Sequence, residues 1–486
     1  MISPRAHACA RAAVSILAAT SISIACAGDW PGFRGPNASG LAVNCSSLPA
    51  EIGPEQNVVW KVALPPGHSS PVVVGNRIFL TAERDGHLLT MGLDRATGRT
   101  LWQSEANYQK LEEIHEIGSH VQCTPASDGT FVVSFFGSSG LYCHDLQGKQ
   151  LWHRPYGPFS NTFGAGNSPL IVDGRVVLYQ DHDTDSFISV LDLATGQELW
   201  KTDRSEFLRN FGSPVVWQVQ GKRQIVVAGT LRVAGYDFDT GKELWTVRGI
   251  ARFVSATPVV GPNNVLYASG YAAGNDVGAE RFQVEPFDAV IAILDSNDNG
   301  GLEEAELTDG PIKMRFVQVD RNKDGTLTRE EYELFRHLFA VGRNVVVAIR
   351  PGGQGDVTQT HVEWVQTRHV PFCASPLVSR DVLFTMRDKG ILTSLDARTG
   401  AKVKEARLEA SGDYYASPVA GAGMVYLLDQ AGRLTVVTDQ AEWRVLHTAE
   451  FGENCYATPA LVDNRIYLRT TGHLYCFGKE ALPPAP

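Results

Sequence analysis

Positive charge is in short supply in this chain: 43 Lys and Arg face 53 Asp and Glu, a formal charge of −10. A nucleic-acid partner therefore has no electrostatic footing. Cysteine is sparse and poorly spaced for metals. None of the eight Cys forms CxxC or CxxCH, so a zinc ribbon or an attached haem is unsupported. Beyond residue 27 no apolar run is long enough to span a bilayer as a helix. The dipeptide Trp-Asp is absent, which argues against a propeller of WD repeats. What the chain has in quantity is turn material: 47 Gly and 25 Pro in 486 residues. That length leaves room for a large core and more than one unit.

At the N-terminus, Arg5 and Arg11 precede an apolar run from Ala12 to Ile24 and then Ala25-Cys26-Ala27. This pattern predicts a secretory leader over residues 1–27, cut after Ala27, and a periplasmic or secreted protein. A rival reading makes Cys26 a lipid anchor. Export permits disulfides among Cys45, Cys123, Cys143, Cys373, Cys455 and Cys476, but a core of this size does not need them, and the pairing stays open.

One hairpin recurs. It reads LDLATGQELW at Leu191–Trp200, LDRATGRTLW at Leu93–Trp102, YDFDTGKELW at Tyr236–Trp245, and HDLQGKQLW at His144–Trp152. A fifth copy, Leu395–Lys404, has Lys where the Trp should stand. Asp and Thr-Gly supply a turn, and alternation resumes into a Trp large enough to fill the gap between neighbouring sheets. A second marker, Ser/Thr-Pro before a β-branched run, occurs eight times: at Ser70, Thr124, Ser168, Ser213, Thr257, Ser375, Ser417 and Thr458. Proline suits the first residue of a strand. Eight markers predict eight four-stranded units. The last unit lacks a Trp strand, while Asn57–Leu64 with Trp60 has no unit of its own. Joining them closes a ring and removes exposed sheet edges. The fold class expected is all-β, an eight-bladed propeller.

The marker interval from Thr257 to Ser375 is 118 residues, against 41 to 45 for most others. It holds an insertion over 275–341 in blade five, where the pattern turns helical. The expected division is a leader at 1–27, an irregular lead-in at 28–55, propeller at 56–274 and 342–480, and a tail at 481–486. Within the insertion, DSNDNGGLEEAE (Asp295–Glu306) and DRNKDGTLTREE (Asp320–Glu331) fit the twelve-residue EF-hand calcium loop. Asp295, Asn297, Asn299, Gly301, Glu303 and Glu306 supply the ligand positions of the first loop. Asp320, Asn322, Asp324, Thr326, Thr328 and Glu331 supply those of the second. A hard cation needs several converging oxygens, and this spacing wraps them around one point. Arg321, Lys323 and Arg329 oppose a dication, so the second site is expected to be the weaker. The role expected for calcium is structural, holding an insertion with little core of its own.

Loops before the Ser/Thr-Pro markers ring one mouth of a propeller channel. Their polar residues are the candidate ligand-binding set: His68, His120, Asn167, Asn210, Arg252, His369, Tyr414 and Asn454. Such a funnel could take a polar or anionic ligand; for each residue alone, a satisfied loop hydrogen bond is the plainer reading. His182 within Asp181–Asp185 (DHDTD) is too short a signal to assign to a metal.

The D-x-x-T-G-x-x-x-W hairpins resemble the repeats of the pyrroloquinoline-quinone (PQQ) propeller superfamily over nearly all of Asn57–Gly478 outside the insertion. That superfamily includes quinoprotein alcohol and sugar dehydrogenases and the non-enzymatic lipoprotein of the outer-membrane assembly machinery. With its DWPGFRGPN opening and inserted loops, the chain looks like exported bacterial PQQ-like repeat proteins. The resemblance implies eight blades and leaves three functions open. The first is a calcium-stabilised binding or scaffold module with a protein or glycan partner. The second is a PQQ-dependent dehydrogenase, and the third a hydrolase or lyase using mouth His and Arg. The dehydrogenases often carry adjacent cysteines against the quinone; this chain has no Cys-Cys pair. The binding module therefore stands first, and no catalytic residue is assigned.

Overall fold

The computed structural model describes residues 28–276, 281–368, 370–409 and 412–479. The leader with Cys26, the 481–486 tail and His369 lie outside the described residues. Eight four-stranded antiparallel blades run in chain order around a central channel. Blade three shows the unit: Leu170–Val172 is innermost, followed by Arg175–Gln180, Phe187–Asp192 and Glu198–Asp203. Its middle strands are buried throughout except at their ends, whereas Glu198–Asp203 alternates exposed and half-buried residues, as an outer strand must. The eighth sheet is composite. Val58–Ala63 pairs with His473–Phe477, and Trp60 lies opposite Cys476. The orphan strand of the N-terminus completes the last blade.

The Ser/Thr-Pro markers form a closed hydrogen-bonded ring on the channel wall. The backbone N–H of Ser70 donates to Thr124 Oγ1, Thr124 to Ser168 Oγ, and Ser168 to Ser213 Oγ. The series continues through Thr257, Ser375 and Ser417 to Thr458. Thr458 N–H then donates to Ser70 Oγ at 3.0 Å. Inner strands of neighbouring blades do not pair with each other, so these buried amides need another acceptor. A short hydroxyl side chain one blade along provides it, and the following Pro brings no amide of its own.

At the outer edge the Trp hairpins lock blade to blade. Trp60, Trp102, Trp152 and Trp200 each donate their indole N–H to a backbone carbonyl of the next blade: Arg95, Leu146, Leu193 and Phe238. The turn glycine of that next blade lies flat on the ring. A Cβ at Gly196 would sit 2.7 Å from Trp152, and Gly196 has φ +71°. Asp192 Oδ1 accepts from both the N–H and the hydroxyl of Thr195, which holds the turn shut. Lys404 replaces the Trp in blade six: its Nζ donates to Trp443 O at 2.5 Å and lies 4.3 Å from that ring's centroid. Trp443 belongs to the turn before the outer strand Val445–Glu450, where the register position of the Trp is held by His447.

The lead-in proves to be a plug. Trp30 bridges Val73 of blade one, Asn37 pairs with the Val216 backbone of blade four, and Leu41–Ala42 lies parallel to Ala420–Gly421 of blade seven. Arg34, fully buried, donates to Pro376 O. These contacts fall beyond the hydroxyl ring along the inner strands, so the segment closes one end of the channel.

The insertion leaves blade five after Leu266–Gly270 and returns at Val345–Ile349. It contains helices α1 (Phe287–Leu294), α2 (Phe316–Val319) and α3 (Arg329–Val341), and Leu302–Glu303 pairs with Thr326–Leu327. Contrary to expectation it has a core: Phe287, Leu302, Phe316, Val319, Leu327, Phe335 and Phe339 are buried together, with Leu208 of the propeller added. Sequence periodicity missed this because the core is shared among three short helices and two loops.

Ser213→Ala removes the acceptor of the Ser168 amide inside the wall and should cost ~1–3 kcal/mol of unfolding free energy. Ser213→Thr keeps the oxygen and should stay near wild type in urea denaturation. Equal losses for both would assign the effect to packing and not to the ring.

Candidate functional site at the channel mouth

Successive residues of an extended strand face opposite ways. The residue two before each ring Ser or Thr therefore shares its channel face, and the residue one before it faces the blade. All eight residues at the former position line one cavity of about 200 Å³: His68, Gln122, Gly166, Phe211, Ser255, Cys373, Tyr415 and Tyr456. Those at the latter position, such as Ala374, Ala416 and Ala457, are small and buried. Seven ring hydroxyl residues line the cavity below, and Phe33 of the plug reaches it from beneath.

The wall is aromatic. Phe163, Phe211, Phe253 and Phe372 follow one another with centroid separations of 6.1, 5.2 and 6.2 Å. On the other side His68 stacks on Tyr456 at 3.8 Å, with Tyr415 5.6 Å beyond. No Asp, Glu, Lys or Arg lines the cavity among the described residues. Burial, reinforced by Arg469, pushes the His68 imidazole down to about 4. Burial raises the Cys373 thiol and the Tyr415 phenol to about 12 each. His68, Cys373 and Tyr415 are thus neutral at pH 7. A wider groove of about 720 Å³ continues sideways past His68 and Gly118, between Pro65–Gly67, Glu83–Asp85 and Ser119.

Of the seven sequence candidates among the described residues, only His68 faces this cavity. Asn167 donates Nδ2 to Gly212 O, and Asn210 bonds Leu208 O and accepts from Val254 N–H. His120 Nε2 is engaged with Glu112 O, and the Asn454 carbonyl accepts from Thr471. Arg252 lies over Phe335 and Phe339 of α3, at 5.6 and 4.8 Å. Tyr414 is buried in the wall. The polar loop residues are anchors, whereas the channel face lies at a fixed offset of two before each marker Ser or Thr, a spacing legible in the marker series itself.

The DHDTD stretch is structural. Asp181 pairs with Arg204 at 2.8 Å with both side chains fully buried, and Asp183 pairs with Arg209. His182 stacks on Phe159 at 3.9 Å, and burial, with help from Arg209, pushes it down to about 3.

In the inserted loops, Gly300 and Gly325 have φ of +82° and +87°, the conformation the tight turn requires. Asp295 Oδ1 and Oδ2 accept from the Asn299 and Gly300 amides, and Asn299 Oδ1 accepts from Gly301 N–H. Glu306 Oε1 accepts from Ser296 N–H and Glu331 Oε1 from Arg321 N–H. Glu303 accepts from the Asn297 and Asn299 side-chain amides. Asn322 Oδ1 accepts from Asp324 N–H, Asp324 Oδ1 from Thr326 N–H, and Thr328 caps α3. Asp320 Oδ1 is buried without a partner. Among the described residues no three His, Cys, Asp or Glu side chains converge as a metal cluster. Arg321 donates to Asp183 O at 2.9 Å, and Arg329 pairs with Asp288.

The family model that matches is described as "Outer membrane protein assembly factor BamB" and covers residues 54–156, 91–285 and 356–480. The chain belongs to this family of PQQ-like repeat propellers. It is 24% identical over 211 residues to outer membrane protein assembly factor BamB of Burkholderia pseudomallei (strain K96243). That match covers 34% of this chain and 52% of the relative, about half its length. BamB from Moraxella catarrhalis superposes with a TM-score of 0.54 at 13% identity, over 86% of this chain and 98% of that one. The quinohemoprotein alcohol dehydrogenase of Comamonas testosteroni gives 0.55 at 14%, over 94% and 82%. At such identities the BamB and dehydrogenase structures share the fold alone.

Because His182 holds its proton only near pH 3 in the native state, against an ordinary value of 6.5, the unfolded chain binds more protons between those values. Stability should fall as pH drops from 6.5 towards 3, by at most ~1.4 kcal/mol per unit from this group. His182→Phe keeps the stack on Phe159 and should make the stability–pH curve shallower between about pH 6 and 4, the remaining slope coming from other buried histidines such as His68. Parallel curves for wild type and variant would contradict this role.

Proposed function

We propose that this chain is an exported binding propeller, taking a ligand or a segment of a partner protein at the channel mouth, and not an oxidoreductase. The observation that carries the reading is the neutral, aromatic cavity. A base that accepts a hydroxyl proton works best with a pKa near the operating pH; His68 at about 4 is far below it, and no carboxylate lines the wall. The volume of about 200 Å³ is also below the ~300 Å³ at which sites for drug-sized ligands begin. PQQ, a planar quinone with three carboxylates, meets no lining cation there, so the cavity residues do not fit it. The hydrolase reading fares no better, since Arg252 and His120 are engaged away from the cavity. A protein partner accords with the name of the family, which is that of an assembly factor.

Calcium in the two inserted loops fits the donor chemistry. The side chains of Asp295, Asn297, Asn299 and Glu306 would hold one ion, with a carbonyl from Gly301. Those of Asp320, Asn322, Asp324 and Glu331, with a carbonyl from Thr326, would hold the other. The unpartnered buried Asp320 Oδ1 favours a cation at the second loop, where Lys323 remains as an opposing charge. The ions would stiffen the insertion over α1 to α3.

Calcium at 100 times its Kd should raise stability by about 2.7 kcal/mol where binding is coupled to unfolding. Glu306→Gln combined with Glu331→Gln should abolish that gain. Adding PQQ to the calcium-loaded protein should leave its absorbance spectrum and dye-linked alcohol oxidation unchanged. Stoichiometric quinone uptake with turnover would overturn the binding reading.

A further inference from the structure

Each ring hydroxyl accepts the N–H of the preceding blade, and among the described residues none of the eight donates its own hydrogen to another protein group. The ring residues are at most 5% exposed. Each of these O–H groups keeps its hydrogen to offer to the channel, and the donor recurs blade after blade around one axis. Seven of these residues border the cavity. The floor is therefore a circle of donors whose acceptor capacity is already partly used.

Two buried cations contact backbone beside ring residues, and neither has a carboxylate partner among the described residues. Arg34 spends Nη2 on Pro376 O, one residue from ring Ser375, while its Nε and Nη1 have no partner. Arg469 donates to Ser69 O and Thr81 O beside ring residue Ser70, and its Nε is likewise unpartnered. Burial lowers both to about 9, so both remain charged at pH 7. Among the described residues no acidic side chain lines the cavity to offset them.

We propose that the cavity binds a monovalent carboxylate carried on an apolar or aromatic body, the carboxylate seated on the hydroxyl ring and the body between the Phe211 and Tyr456 walls. A sugar hydroxyl needs a donor and an acceptor together, and the ring offers mainly donors. A phosphate dianion would lose more hydration than hydroxyls and non-contacting guanidinium groups return. A carboxylate is acceptor-only, and hydrogen bonds to an ionised acceptor are the stronger kind. The inference rests on the binding reading above and names its ligand class. Two sources share that chemistry: a free organic acid, and the C-terminus of a peptide ending in an aromatic residue.

Calorimetric titration of the purified chain at pH 7 tests it. 3-Phenylpropionate and 3-phenylpropanamide form one pair; a hexapeptide ending in Phe, with a free or an amidated C-terminus, forms the other. At least one acid should bind tenfold or more tightly than its own amide, and the pair in which this holds identifies the source. Ser375→Ala with Ser417→Ala should weaken acid binding tenfold, and Thr at both positions should restore it. If the Ala variant fails to fold, the acid-to-amide ratio on the native chain still decides. Amides that bind as tightly as acids overturn carboxylate recognition while leaving the mouth a binding site. No binding by any probe overturns the proposal, and PQQ turnover would instead refute the binding reading itself.

Discussion

The structure depends on a hydrogen bond made once per blade: a backbone N–H just before a proline, donated to a hydroxyl of the next blade. Inner strands of a propeller cannot satisfy one another through a ladder, and an unpaired amide in the channel wall costs about as much as a lost buried hydrogen bond. Ser or Thr at the same register solves this only if the last blade meets the first. It does so at Thr458 and Ser70, 388 residues apart in the chain. Blade number, closure and the identity of the marker residue are thus one constraint. The proline fixes the direction in which the chain leaves the ring and enters its strand.

The outer edge is looser and shows where the ring tolerates change. Five indoles, those of Trp60, Trp102, Trp152, Trp200 and Trp364, reach into the next blade and rest on its turn glycine. Trp245 does not: it donates to Gln224 of its own blade at 2.7 Å and stands edge-on to Trp217. The next blade lacks the Thr-Gly turn that would receive it. Instead its connection supplies Gly355–Asp356 as a fifth strand alongside Trp245–Thr246. Blade five, which does without the turn, is also the blade that accommodates the insertion. Lys404 and His447 show two further substitutes, an ammonium over an aromatic ring and an imidazole bonded to Ile52 O.

Features specified by local pattern were readable in the sequence. The Trp hairpins, the proline series and the borrowed strand with Trp60 all follow from spacing. What escaped depends on which way a side chain points. Asn167 lies one residue from Ser168 and is buried behind the wall, whereas Gly166, one step further, lines the cavity. Choosing polar residues near the markers selected loop anchors over the alternating channel face, and so passed over Phe211, Tyr415 and Tyr456. The plug escaped for another reason. Its partners, from Val73 to Ala420, lie up to several hundred residues away, and Gly-Pro-rich irregular chain carries no periodicity from which to read a binding surface.

The same ring joins fold to function, since the hydroxyls that close the propeller also floor the cavity. Native-state hydrogen exchange followed residue by residue tests that central role most directly. The amides of Ser70, Thr124, Ser168, Ser213, Thr257, Ser375, Ser417 and Thr458 should exchange only through global unfolding, with one common opening free energy. Opening free energies graded from blade to blade, with Thr458 and His473–Phe477 released before the rest, would contradict the account.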